Sequence, residues 1–171
     1  MTASTATELL APIKQYIIQQ NQRPVVYNTW KQHWLRYMTE PNEQTLKIYT
    51  QRCIESDNAF NDIHNNVQLI KDQLMKLHSA MNDSIDKHAV NDVMIENVIG
   101  LIESIERLEE AHLDQYTQLQ SIQHQYTIQL KQPFSMELSH ANEQYRSKMN
   151  TITEQIGEHM SELRDIIDVG E

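Results

Sequence analysis

Glycine, proline and cysteine are nearly missing from this chain: 3 Gly, 4 Pro and 1 Cys in 171 residues. So few turn formers leave little chemistry for a many-stranded sheet, whereas long helices need few turns. A lone Cys53 excludes an internal disulfide and a cysteine-built zinc cage. Aromatic residues are scarce at 6%, and hydrophobic residues reach only 39%, a thin supply for a compact globule. Long apolar runs are absent too. The most apolar stretch, VMIENVIGLI, is interrupted by Glu96 and Asn97, and a bilayer span needs about 20 apolar residues. The opening MTASTATELL has no basic region followed by an apolar core, so a secretory leader is not expected. The chain reads as soluble and intracellular, and the NDS triplet at 82–84 as a chance match to a glycosylation site.

Positive charge is the next shortage. Lys and Arg number 14 against 24 Asp and Glu, for a formal net charge of −10. Duplex DNA is held chiefly by cations that displace its counterions, so tight unaided duplex binding is not expected. The deficit is uneven. Residues 1–41 hold four basic side chains (Lys14, Arg23, Lys31, Arg36) and two acidic ones, net +2. Residues 82–132 hold three basic and nine acidic, net −6, and residues 133–171 three and eight, net −5.

What is present is helical periodicity. Leu46, Tyr49, Cys53, Ser56, Phe60, Ile63, Val67, Ile70, Leu74, Leu77 and Met81 alternate in steps of three and four. Only a helix presents that spacing as one seam. A second seam runs through Met94, Val98, Leu101, Ile105, Leu108, His112, Gln115, Leu119, Ile122 and Tyr126. A third follows Ser135, a candidate cap, through Leu138, Tyr145, Met149, Ile152, Ile156, Met160, Leu163 and Ile167.

Prolines punctuate the rest. Pro12 suits a first helical turn, Pro24 should break or kink the helix it sits in, and Pro41 and Pro133 mark boundaries. NDSIDKH at 82–88 reads as a turn. The expected architecture is all-α: an elongated antiparallel hairpin of the two central helices, with two outer helices completing a four-helix, coiled-coil-like bundle. Residues 1–10 are expected as a flexible N-terminus and 11–168 as one domain, with helices near 12–39, 42–81, 90–131 and 135–168, the first kinked at Pro24.

Candidate chemistry is sparse. Of the eight histidines, none belongs to an H-E-x-x-H motif or pairs with another at i+3 or i+4, so no metal site is expected. His112 and Gln115 fall on a seam and read as polar core residues. ESIERLEEAHLD at 103–114 reads as a solvated acidic face with a Glu103–Arg107 pair, or else as a docking strip for a basic partner. Gly100 and Gly157 read as positions of close helix packing. Cys53 reads as a small buried apolar residue. Neither a catalytic residue nor a cofactor is expected.

The aromatic mass gathers in VVYNTWKQHWLRYM at 25–38, which holds both tryptophans. Tyr27, Trp30, Trp34 and Tyr37 are spaced three, four and three, one stripe of a helix. Large rings on such a stripe most often anchor a core. A partner-facing patch and a platform for stacking bases are the alternatives. The anchor reading lets Tyr27 and Tyr37 reach the rim.

These residues carry a resemblance. Arg23, Tyr27, Trp30, Trp34, Tyr37 and Met38 match the early-helix motif of the "required for excision" type-B domain, a family linked to DNA repair. NAFNDIHNNVQLIKDQL resembles that family's next helix through Ala59, Phe60, Val67 and Leu74. IERLEEAHLDQYTQLQ resembles the third through Leu108, Glu109, Glu110, Leu113, Leu119 and Gln120. MNTITEQIGEHMSELRDI resembles the last, ending Glu162-Leu163-Arg164.

The resemblance covers about residues 11–167 in order. It implies a role in DNA excision repair and a nuclear location, with no catalytic residue or cofactor to carry over. Together with the acidic helical composition it points to a non-enzymatic adaptor or scaffold that works through protein partners, or through copies of itself. A coiled-coil subunit of a vesicle-tethering or cytoskeletal complex is the alternative.

Overall fold

A computed structural model of the chain describes residues 3–82 and 89–170, with side chains placed for 8–80 and 93–169. The described residues form four helices and no strand: α1 Ala3–Thr39, α2 Glu43–Asn82, α3 Ala89–His124 and α4 Met136–Gly170. A π-helical turn, Gln125–Gln129, continues α3. The turn expected at 82–88 lies, beyond Asn82, outside the described residues. α1 starts well before Pro12: it is helical from Ala3, and Leu9 joins the core, so the expected boundary at residue 10 does not hold. Nor does Pro24 end α1, although the missing N–H deprives the Gln20 carbonyl of its usual donor.

Local chemistry sets the ends. Asn42 caps α2: its Oδ1 accepts from the Thr45 N–H at 2.9 Å, and the Thr45 hydroxyl accepts from the Asn42 N–H at 3.1 Å. Ser135 caps α4 as expected, its Oγ accepting from the Leu138 N–H at 3.2 Å. α3 does not run as an α-helix to 131. Its last turn widens, with the Leu130 N–H on the Gln125 carbonyl at 2.9 Å, a bond that spans five residues. The chain then reverses through Lys131 at φ 54°. Glycine normally takes that left-handed position, and this sequence has none nearby to offer.

The helices alternate in direction. α1 packs chiefly on α2 and α3 chiefly on α4, while α2 and α3 touch more sparsely. The expected hairpin of the two central helices is thus the looser pairing, joined by a shared core and by side-chain bridges such as Lys71–Glu103 and Tyr49–Gln120. Short reversals at 40–42 and 130–135 join α1 to α2 and α3 to α4.

The core draws on all four helices: Ile13 and Tyr16 from α1; Ile63, Val67, Ile70 and Leu74 from α2; Ile95, Val98, Ile102 and Ile105 from α3; Met160 and Leu163 from α4. Full burial of each aliphatic side chain contributes about 1.5–3 kcal/mol. α3 buries more than its expected seam. Ile95, Ile102, Glu109 and Tyr116, seven residues apart, form a second inward row because α3 has neighbours on two sides. Leu46, first on the expected α2 seam, is 43% exposed.

Candidate partner-binding cleft

The aromatic stripe of α1 faces inward along its whole length. Trp34 and Tyr37 are buried, Tyr27 and Trp30 half-buried. The Trp34 indole N–H donates to Gln123 Oε1 at 2.7 Å, and its ring meets Tyr49 at 5.2 Å. Tyr37 stacks on Tyr49 at 5.8 Å and bonds His124 Nε2 at 3.2 Å. Tyr37 is therefore a core residue rather than a rim residue. Trp30 sets its edge against Tyr116 at 4.9 Å, and Tyr27 lies flat on the His112 ring at 4.1 Å.

Where α2 and α3 separate, a cleft of about 620 Å³ opens above α1. Its floor is Arg23 and Tyr27. Phe60, His64 and Lys71 of α2 form one wall; Glu103, Glu106, Glu110 and Leu113 of α3 form the other. It meets a smaller hollow of about 310 Å³ lined by Trp30, Cys53 and Ile54, the two sharing Asp57, Phe60 and Leu113. Together they make a trough in which rings and Leu113 lie beside a polar floor, with further charges along its walls. Tyr27 and Phe60 pack ring on ring at 4.8 Å across the trough's base.

A polar belt closes its floor. Arg23 is only 8% exposed, and its Nη2 reaches both Glu106 oxygens, at 2.8 and 2.7 Å. The Tyr16 hydroxyl donates to the same carboxylate at 3.1 Å. Gln20 Nε2 donates to Glu109 Oε1, and the Tyr27 hydroxyl approaches the Glu109 carbonyl at 3.5 Å, a long contact. Burial pushes the Tyr16 hydroxyl far above the usual phenol range, and the Glu106 carboxylate adds to it. Tyr27 is raised likewise by burial and then by Glu109, with Arg23 opposing. At the lip, Lys71 Nζ pairs with Glu103 at 3.0 Å.

Six of the ten residues singled out from the sequence line this one cleft: Arg23, Tyr27, Phe60, Glu109, Glu110 and Leu113. Trp30 lines the adjoining hollow. Trp34 and Tyr37 sit deeper in the bundle, and the half-buried Leu108 does not line the cleft. The acidic run is not a uniformly solvated face, since Glu109 is buried at 5% exposure. Nor do Glu103 and Arg107 pair through the carboxylate. Arg107 reaches the Glu103 carbonyl and Ser104 Oγ, while the Glu103 carboxylate meets Lys71.

Tyr16, Gln20 and Glu106 were missed by sequence reasoning. Gln20 and Glu106 are polar and so fell outside an apolar count. The seven-residue step from Ile95 and Ile102 to Glu109 would have placed that acid inward. Gly100 and Gly157 are not close-packing sites: a β-carbon at either would meet nothing within 4 Å.

Among the described residues, no group of three or more His, Cys, Asp or Glu could hold a metal ion. No helix there is long and apolar enough to cross a membrane. No family model, curated protein or solved structure matches the chain.

Proposed function

We propose that the protein is a non-enzymatic helical adaptor that docks a protein partner in the trough between α2 and α3. One observation carries this reading: six residues drawn from three separate helical blocks, in α1, α2 and α3, line a single cleft. The trough has the anatomy of a recognition site. Rings and Leu113 stand among polar and charged groups, and the floor is held by the part-buried Arg23–Glu106 pair. The resemblance to the excision-repair family supplies the setting, a nuclear protein recruited when DNA is damaged.

The test follows a tagged full-length chain before and after ultraviolet exposure, alongside Phe60→Asp and Asn61→Arg at the trough. The wild type is expected to enter the chromatin fraction after exposure. Both variants should lose at least tenfold of that retention while Asn61→Arg, at an exposed position, melts like wild type. A chain that stays on membrane puncta before and after exposure would contradict the nuclear reading. Unchanged retention in both variants would contradict the trough.

A further inference from the structure

The walls of the trough are helices, and that restricts what can lie between them. Their backbone N–H and C=O groups are spent within α2 and α3. An extended segment laid there finds no ladder to join, and covering its backbone without partners costs free energy. A helix satisfies its own backbone and needs only side chains that fit. The α2 wall runs from Asp57 to Lys71, about 21 Å at 1.5 Å per residue, which is the length of a four-turn helix.

The charges along the walls have an order. The Lys71–Glu103 bridge, 3.0 Å long, fixes the antiparallel register of α2 and α3 and sets Phe60 opposite Leu113. These two also line the hollow that holds Trp30 and Ile54, so they stand where trough and hollow meet. Asp57 lies one turn from Phe60 toward the hollow, and Glu110 one turn from Leu113 toward the bridge. Both acids are exposed and form no hydrogen bond or ion pair among the described residues. The other lining acids have partners: Glu103 holds Lys71, Glu106 holds Arg23 and Glu109 holds Gln20. Of the lining lysines and arginines only Arg107 lies outside an ion pair. It folds back on α3, to the Glu103 carbonyl at 3.3 Å and Ser104 Oγ at 3.2 Å. The unpaired charge beside the rings is therefore negative.

The other side of the bundle differs. A cleft of about 430 Å³ opens there between α1, α3 and α4. Its only acid is Glu109, buried at 5% exposure, while the exposed Lys31 and Arg164 also line it. That side offers a basic segment no exposed carboxylate.

We infer that the partner segment docked in the trough is a basic amphipathic α-helix. Its apolar stripe covers Phe60, Leu113 and the hollow beside Trp30 and Ile54. Lysine or arginine on its two edges pairs with Asp57 on one wall and Glu110 on the other. This rests on the adaptor reading, to which it adds the occupant's secondary structure and charge. Exposed ion pairs contribute little affinity each, but they select the sign of the partner and speed its approach.

The probe is a fluorescein-labelled, alanine-based peptide of about 15 residues, with leucines on one helical stripe and lysines along both of its edges. Three controls carry glutamate for every lysine, the same residues in shuffled order, or a central proline. Each is titrated with the full chain and followed by fluorescence anisotropy. The lysine peptide should saturate and bind at least tenfold more tightly than any control. Asp57→Lys combined with Glu110→Lys, both at exposed and unbonded positions, should melt like wild type. That variant should bind the lysine peptide at least tenfold more weakly and prefer the glutamate peptide. Failure of the lysine peptide to saturate would overturn the inference. So would a proline peptide that binds as well, a glutamate peptide that binds as well, or undiminished binding by the double variant. Those results leave the adaptor reading to chromatin retention of Asn61→Arg, so the two fail separately.

Discussion

One end of the bundle is aliphatic and sealed; the other is aromatic, polar and open. Ile13, Leu74, Ile95, Ile102, Ile105 and Leu163 are fully buried at the first end. Toward the second, the inner face is Trp30, Trp34, Tyr37, Tyr49, Phe60 and Tyr116, tied by ring contacts and side-chain amides. Branched aliphatic side chains from four helices interlock to crystal-like density. Flat rings carrying polar atoms meet at angles, leave hollows between them and need hydrogen-bond partners. Both clefts, and the unpaired atoms of Gln20, Arg23 and Glu109, lie where the aliphatic packing gives way to rings. The difference shows how a thin core suffices. Stability is concentrated in one region, which leaves the other able to carry imperfect packing.

The sharpest way to break this comparison is to truncate each end. Ile105→Ala should cost about 2–5 kcal/mol, and Trp34→Ala, whose buried ring lines none of the clefts, about 3–5 kcal/mol, both read by urea unfolding. Trp30→Ala, at a half-buried ring, should cost less than Trp34→Ala. If Trp30→Ala and Phe60→Ala cost as much as Ile105→Ala, the two ends do not differ as described.

The belt between the ends comes next. Arg23→Ala leaves the Glu106 carboxylate without its cation and should cost about 3 kcal/mol, less than a fully enclosed pair because Glu106 is 18% exposed. Arg23→Met combined with Glu106→Leu should recover most of that loss. A double variant as unstable as the single would mean that the pair itself, rather than the stranded charge, is what matters.

The smallest effect is alkaline. Tyr16, Tyr27, Tyr49 and Tyr116 are all raised above the ordinary phenol value, chiefly by burial. The unfolded chain ionises first, so their contribution is fully present below about pH 10 and is lost as pH climbs toward the folded values. The melting temperature should fall above about pH 10, and less steeply in Tyr16→Phe. A profile with the same slope in both proteins would contradict the assignment.

Much of the fold was legible because three- and four-residue spacing has one structural meaning. The inward faces of α2 around Val67 and Leu74, and of α4 around Met160 and Leu163, lie where their periodicity puts them. The aromatic stripe was legible as an inward face for the same reason. Pairing was not. Periodicity tells which face of a helix is buried but not which neighbour covers it, so the separation of α2 from α3 had no signal. The polar belt was hidden because Gln20 and Glu109 occupy inward positions with residue types that usually mark solvent. The widened turn at 125–129 was hidden because its sequence, QYTIQ, does not differ from α-helix.

The account turns on unequal stability between the two ends, and native-state hydrogen exchange on the full chain measures that directly. Amides of residues 63–74 and 95–105, in the aliphatic end, should exchange only by global unfolding. Those of residues 23–31 and 109–117, beside the clefts, should exchange at least tenfold faster through local opening. Equal protection in the two sets, or slower exchange beside the clefts, would contradict the account.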